Sequence, residues 1–300
     1  MGQQQAITRG QTTMTLTVLF CADPLDPRRV DEHFAREADT VRATGGTSVL
    51  FDHDLLQQGD AAGAVRRVPR GLGPLWYRGW MVSSTEYHAL AKALATRGTP
   101  LMTPPDGYQR AHELPGWYDT FLGLTPASAW LPLHPREIPS EDALERLVHE
   151  LPSGPGIIKD YVKSRKHEWH EACYVPDLAN ARALRRRVEA MVGLQEDFLA
   201  GGLVVRAYES YDGAECRVWW IDGEPALIGP HPDTPRDDPE PDLDHVRPAV
   251  RALGCRFVTT DLARRADGAW RVVEVGDGQV SDLPSTADVG DLYFHLPDPS

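Results

Sequence analysis

Two Asp-Gly dipeptides constrain this chain more than any other feature it carries. Asp222-Gly223 sits between the apolar runs AECRVWWI and EPALIG, and Asp267-Gly268 sits between RFVTTDLARRA and AWRVVEVGDG. Asp-Gly takes the left-handed backbone of a tight turn with little strain, so an apolar run on each side closes as an antiparallel hairpin. The second half therefore reads as antiparallel β structure. Further strands are expected at 156–162, 171–175 and 202–208. Helices are expected at 140–151, capped by Ser140 with Asp142 in its first turn, and at 178–199, with Leu184, Val188, Met191 and Phe198 on one face. Leu243, Val246, Val250 and Leu253 mark another helix, and the Pro/Asp-rich run 231–244 reads as an exposed, mobile loop.

The first half has a different rhythm. Short apolar runs at 15–20, 47–51, 76–80 and 99–102 alternate with helical segments, one of which keeps Tyr87, Leu90 and Leu94 at helical spacing and stops at Gly98. Alternating strands and helices predict a parallel open sheet over roughly 1–130. The segment 115–139, rich in Pro, Gly and Trp, reads as a connector. The expected fold class is thus an α/β N-terminal lobe followed by an α+β region. At 300 residues the chain is also too long for one ordinary core.

The net charge of −13 disfavours a general nucleic-acid coat, yet it is an average. Residues 156–187 hold eight basic side chains against four acidic ones. Lys159 ends an apolar strand there, and Lys163 follows in KDYVKSRKHEW. A lysine on a buried strand is costly unless an anion meets it, so a polyphosphate is a natural ligand and a solvated charged loop the plain alternative. Asp261 ends one late strand, while Glu274 and Asp277 lie on the next. Pairing around Asp267-Gly268 would set Asp261 opposite Glu274, and clustered carboxylates require a cation or a proton; beside a phosphate, Mg2+ is the natural one. Arg206 and Arg217 interrupt apolar strands and call for an anion or a carboxylate partner.

Other chemistries are excluded. The four cysteines form no CxxC pair, which argues against structural zinc and fits a reduced compartment. HEWHE (167–171) lacks the i,i+4 histidine spacing of a zinc protease, and neither a phosphate-binding GxxxxGK[ST] loop, GxSxG nor GxGxxG occurs. No apolar run approaches a membrane span and the N-terminus is not of signal-peptide type, so a cytoplasmic location is expected.

The order of these features resembles the ATP-grasp superfamily, whose metal-binding end usually reads D…dG…vEvN; here it stands as DLARRADGAWRVVEVGDGQVSDLP. With KDYVKSRKHEW, YRGWMVS and HELPGWY, the chain is similar to a bacterial ATP-grasp family with a two-lysine signature over roughly 15–296. Residues 1–14 read as a flexible tail, and the resemblance implies an α/β pre-ATP-grasp lobe over 15–139 and an ATP-grasp region of two α+β subdomains over 140–300. It implies that Lys159 and Lys163 contact phosphates and that Val205, Arg206, Ala207 and Tyr208 form a hinge meeting adenine through backbone groups. Glu209 would replace a ribose-binding Glu, and Arg217 would face the γ-phosphate. Asp261, Glu274 and Asp277 would hold Mg2+, with Asp277 standing where the superfamily has Asn. Arg78, His112 and Tyr118 are candidates for the acceptor side.

What the resemblance implies is an ATP- and Mg2+-dependent ligase of class EC 6 that activates a carboxylate as an acyl phosphate for attack by an amine and releases ADP. Two alternatives stand beside it. One is an RNA-end ligase working through a lysyl-AMP at Lys159 or Lys163, which the overall negative charge disfavours. The other is a nucleotide-binding protein without catalysis, against which the Asp261/Glu274 pair argues. The acceptor, whether small molecule, peptide or RNA end, is not specified by the sequence.

Overall fold

TVLFC (Thr17–Cys21, β1) is buried at every position because it lies in the middle of a three-stranded parallel sheet, flanked by β2 (Thr47–Phe51) and β3 (Trp76–Arg78). A strand covered on both faces shows no polar alternation, which is why it reads as one apolar run. The strand expected at 99–102 is reduced to a single bridge between Leu75 and Leu101. This structure, a computed structural model, describes residues 16–232, 234 and 239–297; the expected tail over 1–14 and part of the 231–244 run lie outside the described residues.

The chain divides into two compact units, Met1–Trp80 with Ala89–Met102 and Val289–Ser300, and Met81–His88 with Thr103–Asp288. The division therefore does not follow one cut after residue 139. In the first unit a buried ion pair ties helix Ala35–Ala43 to β3: Arg78 donates from Nε and Nη2 to Glu37 at 2.6 and 2.9 Å, and both side chains are almost fully covered. Tyr293, on helix Val289–His295, donates its hydroxyl to the same carboxylate at 2.7 Å.

The second unit contains two antiparallel four-stranded sheets. In one, β4 (Ser128–Pro132), β5 (Gly156–Asp160), β6 (Tyr174–Val175) and β7 (Gly202–Ala207) run in the order β4-β7-β5-β6. Helices Glu141–His149 and Ala181–Gln195 cover one face, burying Leu144, Leu147, Leu184, Val188 and Met191 against Ile158, Leu203 and Val205. Ser140 caps the first of them as expected, accepting from the Ala143 amide at 3.2 Å.

Three expectations change here. The segment read as a connector supplies β4, an edge strand, and an edge tolerates the proline that ends it. Of EACYV only Tyr174–Val175 is strand, because Trp169–Cys173 closes as a π-type turn. Phe198 is exposed, because the helix ends at Gln195 and Glu196 takes a positive φ of 47°, which breaks the periodicity before it.

The other sheet, β8 (Tyr211–Ile221), β9 (Glu224–Pro230), β10 (Phe257–Arg265) and β11 (Trp270–Asp277), has the order β11-β10-β8-β9. Both Asp-Gly turns form. Asp222 and Gly223 take φ of 50° and 81°, as a mirror-image turn requires, and Gly268 takes 88°. One face of this sheet is core: Cys216, Val218, Trp220, Val258, Leu262, Val272 and Val275 pack with helix Arg247–Leu253. Alternation along each strand then leaves Glu215, Arg217 and Trp219 on the other face with Thr259, Asp261 and Glu274. No helix among the described residues is long and apolar enough to cross a membrane.

Candidate active site

The register of three strands assembles the site. Arg217 on β8 pairs with Asp261 on β10, and Asp261 pairs with Glu274 on β11. This second pairing depends on a β-bulge beside Asp261. Leu262 pairs with Val272, but Asp261 pairs with Glu274, so Val273 is the extra residue. Without it Val273 would face Asp261 and Glu274 would turn to the opposite side. Arg206 holds this bulge: its Nη1 donates to the Val273 carbonyl, while Nε and Nη2 donate to Ser128 Oγ (2.9 Å) and Thr125 Oγ1 (2.7 Å). The buried Arg206 thus spends its donors on neutral acceptors, and no carboxylate among the described residues pairs with it.

Asp261 is 5% exposed. Arg217 forks onto both of its oxygens at 2.7 Å, and His231 Nε2 lies 3.5 Å from Oδ2 and 3.1 Å from Arg217 Nη2. Burial alone would raise the Asp261 carboxyl; the guanidinium and His231 outweigh it and hold it well below the usual carboxylate range. His231 is affected in the opposite sense. Burial would lower it, but Asp261 and Glu215 raise it. Glu215 is itself raised, by burial and then by Asp261. Ligand atoms of Glu215, His231 and Asp261 lie within 4.8 Å of one another.

Lys159 enters from the first sheet. Its Nζ lies 3.5 Å from Glu274 Oε1 and donates to the Val162 carbonyl at 3.2 Å. The turn after it is built by Asp160, a buried carboxylate that accepts from the amides of Val162 (2.7 Å) and Lys163 (2.5 Å) and from Gln195 Nε2 (2.7 Å). Lys163 leaves that turn exposed.

Several expected site residues stand elsewhere. β7 is flanked by β4 and β5, so Val205, Arg206 and Ala207 lie inside the sheet, and the chain leaves the strand only at Tyr208. The segment between β7 and β8 is therefore 208–210. Glu209 is forked by Arg271 at 2.8 and 2.9 Å, which leaves Glu215, on the Arg217 face, better placed for a ligand. Asp277 pairs with Val258 and shares the buried side of β11 with Val275, where it accepts from the Gln279 amide at 2.9 Å. The residue two beyond Glu274, where vEvN has its Asn, is Gly276. The strand's alternation therefore does not bring Asp277 to Asp261 and Glu274.

The acceptor-side candidates are engaged internally. Arg78 is locked to Glu37 in the other unit. Tyr118, 8% exposed, accepts from the Ser128 amide at 3.0 Å. His112 stacks on Tyr108 with ring centroids 4.8 Å apart. Burial and then the charges of Lys163 and Lys159 push its imidazole down to about 3. The unfolded chain thus binds a proton that the folded chain refuses between about pH 6.5 and 3, and stability falls with acidification through that window. Between pH 7 and 5 the loss is expected to be about 2 kcal/mol. Urea unfolding at both pH values should show that slope reduced by this amount in His112→Phe; an unchanged slope would remove His112 as its source.

Sequence reasoning missed His231, Glu215 and Asp160. Glu215 was legible two residues before Arg217. His231 was hidden in the Pro/Asp run read as exposed, whereas its ring is mostly covered.

The donor set fits Mg2+. The site offers hard carboxylate oxygens, one of them strongly held in its ionised form, with a second in register opposite. Asp261 and Glu274 would hold the ion, with Glu215 at the margin.

A lysine from one sheet meeting the paired carboxylates of another, within one unit, is the arrangement of an ATP-grasp module, the nucleotide-binding module of ATP-dependent EC 6 ligases that work with Mg2+. Residues 148–296 match the family model described as ATP-grasp domain, R-2K clade family 3, and this region of the chain belongs to that clade. Solved structures agree in fold. D-cycloserine synthetase DcsG is 17% identical with a TM-score of 0.63, covering 93% of this chain and 97% of its own. A RimK domain protein ATP-grasp from Sphaerobacter thermophilus is 16% identical with a TM-score of 0.58, covering 93% and 99%. The ATP-grasp ligase PsnB, complexed with a minimal precursor, Mg and ADP, is 17% identical with a TM-score of 0.54, covering 93% and 95%. No curated protein matches the chain in sequence.

Proposed function

We propose that the chain activates a carboxylate as an acyl phosphate at the expense of ATP and passes the acyl group to an amine, releasing ADP. The observation that carries this reading is the face on which Asp261, Glu274, Arg217 and Lys159 converge, two carboxylates each with a cation at its oxygens. Lys159 would neutralise phosphate charge from its strand, and Lys163, exposed one turn later, would add a second cation. Arg217 would leave Asp261 for the transferred phosphoryl group, and His231 would stay beside the carboxylate. Mg2+, when bound, would supply charge neutralisation between phosphate oxygens. The substrate carboxylate oxygen attacks the γ-phosphorus and the bond to the bridging oxygen breaks, leaving ADP. The amine then attacks the carbonyl, expels inorganic phosphate and loses a proton.

The acceptor class follows by analogy. PsnB is described with precursor peptides, as is the macrocyclase MdnC from Microcystis aeruginosa, whereas D-cycloserine synthetase bears the name of a small-molecule product. A peptide or small amine is therefore the acceptor class to screen. Product analysis tests the reaction. With a competent acceptor pair the expected products are ADP and phosphate. AMP and pyrophosphate would instead support the lysyl-AMP route, and absence of Mg-ATP binding would overturn the enzyme reading.

A further inference from the structure

Most large aromatic side chains of this chain are buried, among them Trp76, Trp117, Trp219 and Trp220, all under 2% exposed. Three of those in the second unit that are not come together in one cluster. Trp169 and Tyr174 stack nearly parallel, centroids 5.5 Å apart at 15°, and both are half-buried. Tyr208 meets their rings edge-on at 6.2 and 5.4 Å and is 39% exposed. They come from three separate segments: the π-type turn, β6 and the end of β7.

Their position relative to Lys159 gives the cluster meaning. Tyr174 pairs with Ile157, and Ile157 lies two residues before Lys159 on β5. Residues two apart on a strand share a face about 7 Å apart. Arg206, which pairs with Ile157, holds the same face of β7, and Tyr208 follows just past the strand's end with its ring against those of Trp169 and Tyr174. Tyr174 thus stands diagonally across from Lys159, on its side of the sheet and roughly 8 Å away by backbone spacing, and Tyr208 lies further along, at the 208–210 exit. That distance is the separation between the phosphates of a nucleotide and its base.

We infer that Trp169, Tyr174 and Tyr208 form a stacking platform for the nucleobase, so that this site draws much of its nucleotide affinity from the π-face of the base. The inference rests on the nucleotide reading above. Base–aromatic stacking is worth enough for loss of one ring to weaken binding about 5- to 100-fold.

Calorimetric titration of the full chain with Mg-ATP and with Mg-tripolyphosphate, which has the phosphates but no base, separates the possibilities. In Trp169→Leu and Tyr174→Leu the Kd for ATP is expected to rise by that factor while the Kd for tripolyphosphate stays within about twofold. Tyr174→Phe, which keeps the ring, should bind ATP as the wild type does. Equal loss for both ligands means that the rings only anchor the turn, and no loss for ATP means that the base does not touch them; either overturns the platform. Should the Leu variants not fold, the wild type decides: 2-aminopurine riboside triphosphate must lose fluorescence on binding, and full emission in the bound state overturns the platform. Failure of the wild type to bind either ligand would instead sink the nucleotide reading itself.

Discussion

Glu274→Gln is expected to reduce Mg2+-dependent ATP turnover by about two to three orders of magnitude while leaving the fold intact. The change removes one charge and no volume. Glu274 lies opposite Asp261 only because Val273 is bulged out, so its position is specified for the face and not for the core. Its side chain is 42% exposed, and Lys159 keeps the Val162 carbonyl when the carboxylate is lost. A half-exposed ion pair contributes at most about 1 kcal/mol, so the melting temperature should fall by no more than about 3 °C. Steady-state turnover at saturating ATP with a magnesium titration, together with a thermal melt, checks both halves. Wild-type turnover in the variant would remove Glu274 from the metal site.

Arg78→Met should act almost wholly on stability, with an expected cost of about 3–5 kcal/mol. Arg78 and Glu37 are 2% and 7% exposed at their side chains and hold one another through two short hydrogen bonds. Removing the guanidinium strands a carboxylate in the interior with Tyr293 as its remaining described donor. The double variant Glu37→Leu/Arg78→Met should recover much of the loss, because two apolar groups of similar size leave no buried charge behind. Denaturant titrations of the single and double variants measure this. If Arg78 instead bound substrate, as the sequence alone suggested, the single variant would raise KM at nearly unchanged stability, and the double variant would not recover activity.

How much of this was legible in the sequence depends on whether the deciding interaction is local. The two Asp-Gly turns are local, and they fixed both hairpins and the Asp261–Glu274 pairing to within one residue. That one residue matters, because the bulge at Val273 is held by Arg206 from another sheet, a partner 67 positions away. For the same reason Asp277 was misread. Closeness in sequence to Glu274 suggested a shared site, whereas the two-residue period of a strand sends it to the buried side. Arg78 and Glu209 were read as ligand contacts because their partners, Glu37 and Arg271, lie 41 and 62 residues distant. A charged residue in an apolar run announces that it needs a counter-charge, and the sequence does not say whether protein or ligand supplies it. SAWLP failed as a strand for a different cause. Proline and glycine around it signal loop, and only its place at a sheet edge makes the proline harmless.

The Tyr293–Glu37 hydrogen bond joins positions 256 residues apart inside the first unit. A chain made from its N-terminus at about 5–20 residues per second would have the parallel sheet and Glu37 ready many seconds before helix Val289–His295 exists. During that interval the whole second unit is synthesised and can fold. The unit begun first is thus completed last, because its closing helix is made only after Asp288, the last residue of the second unit.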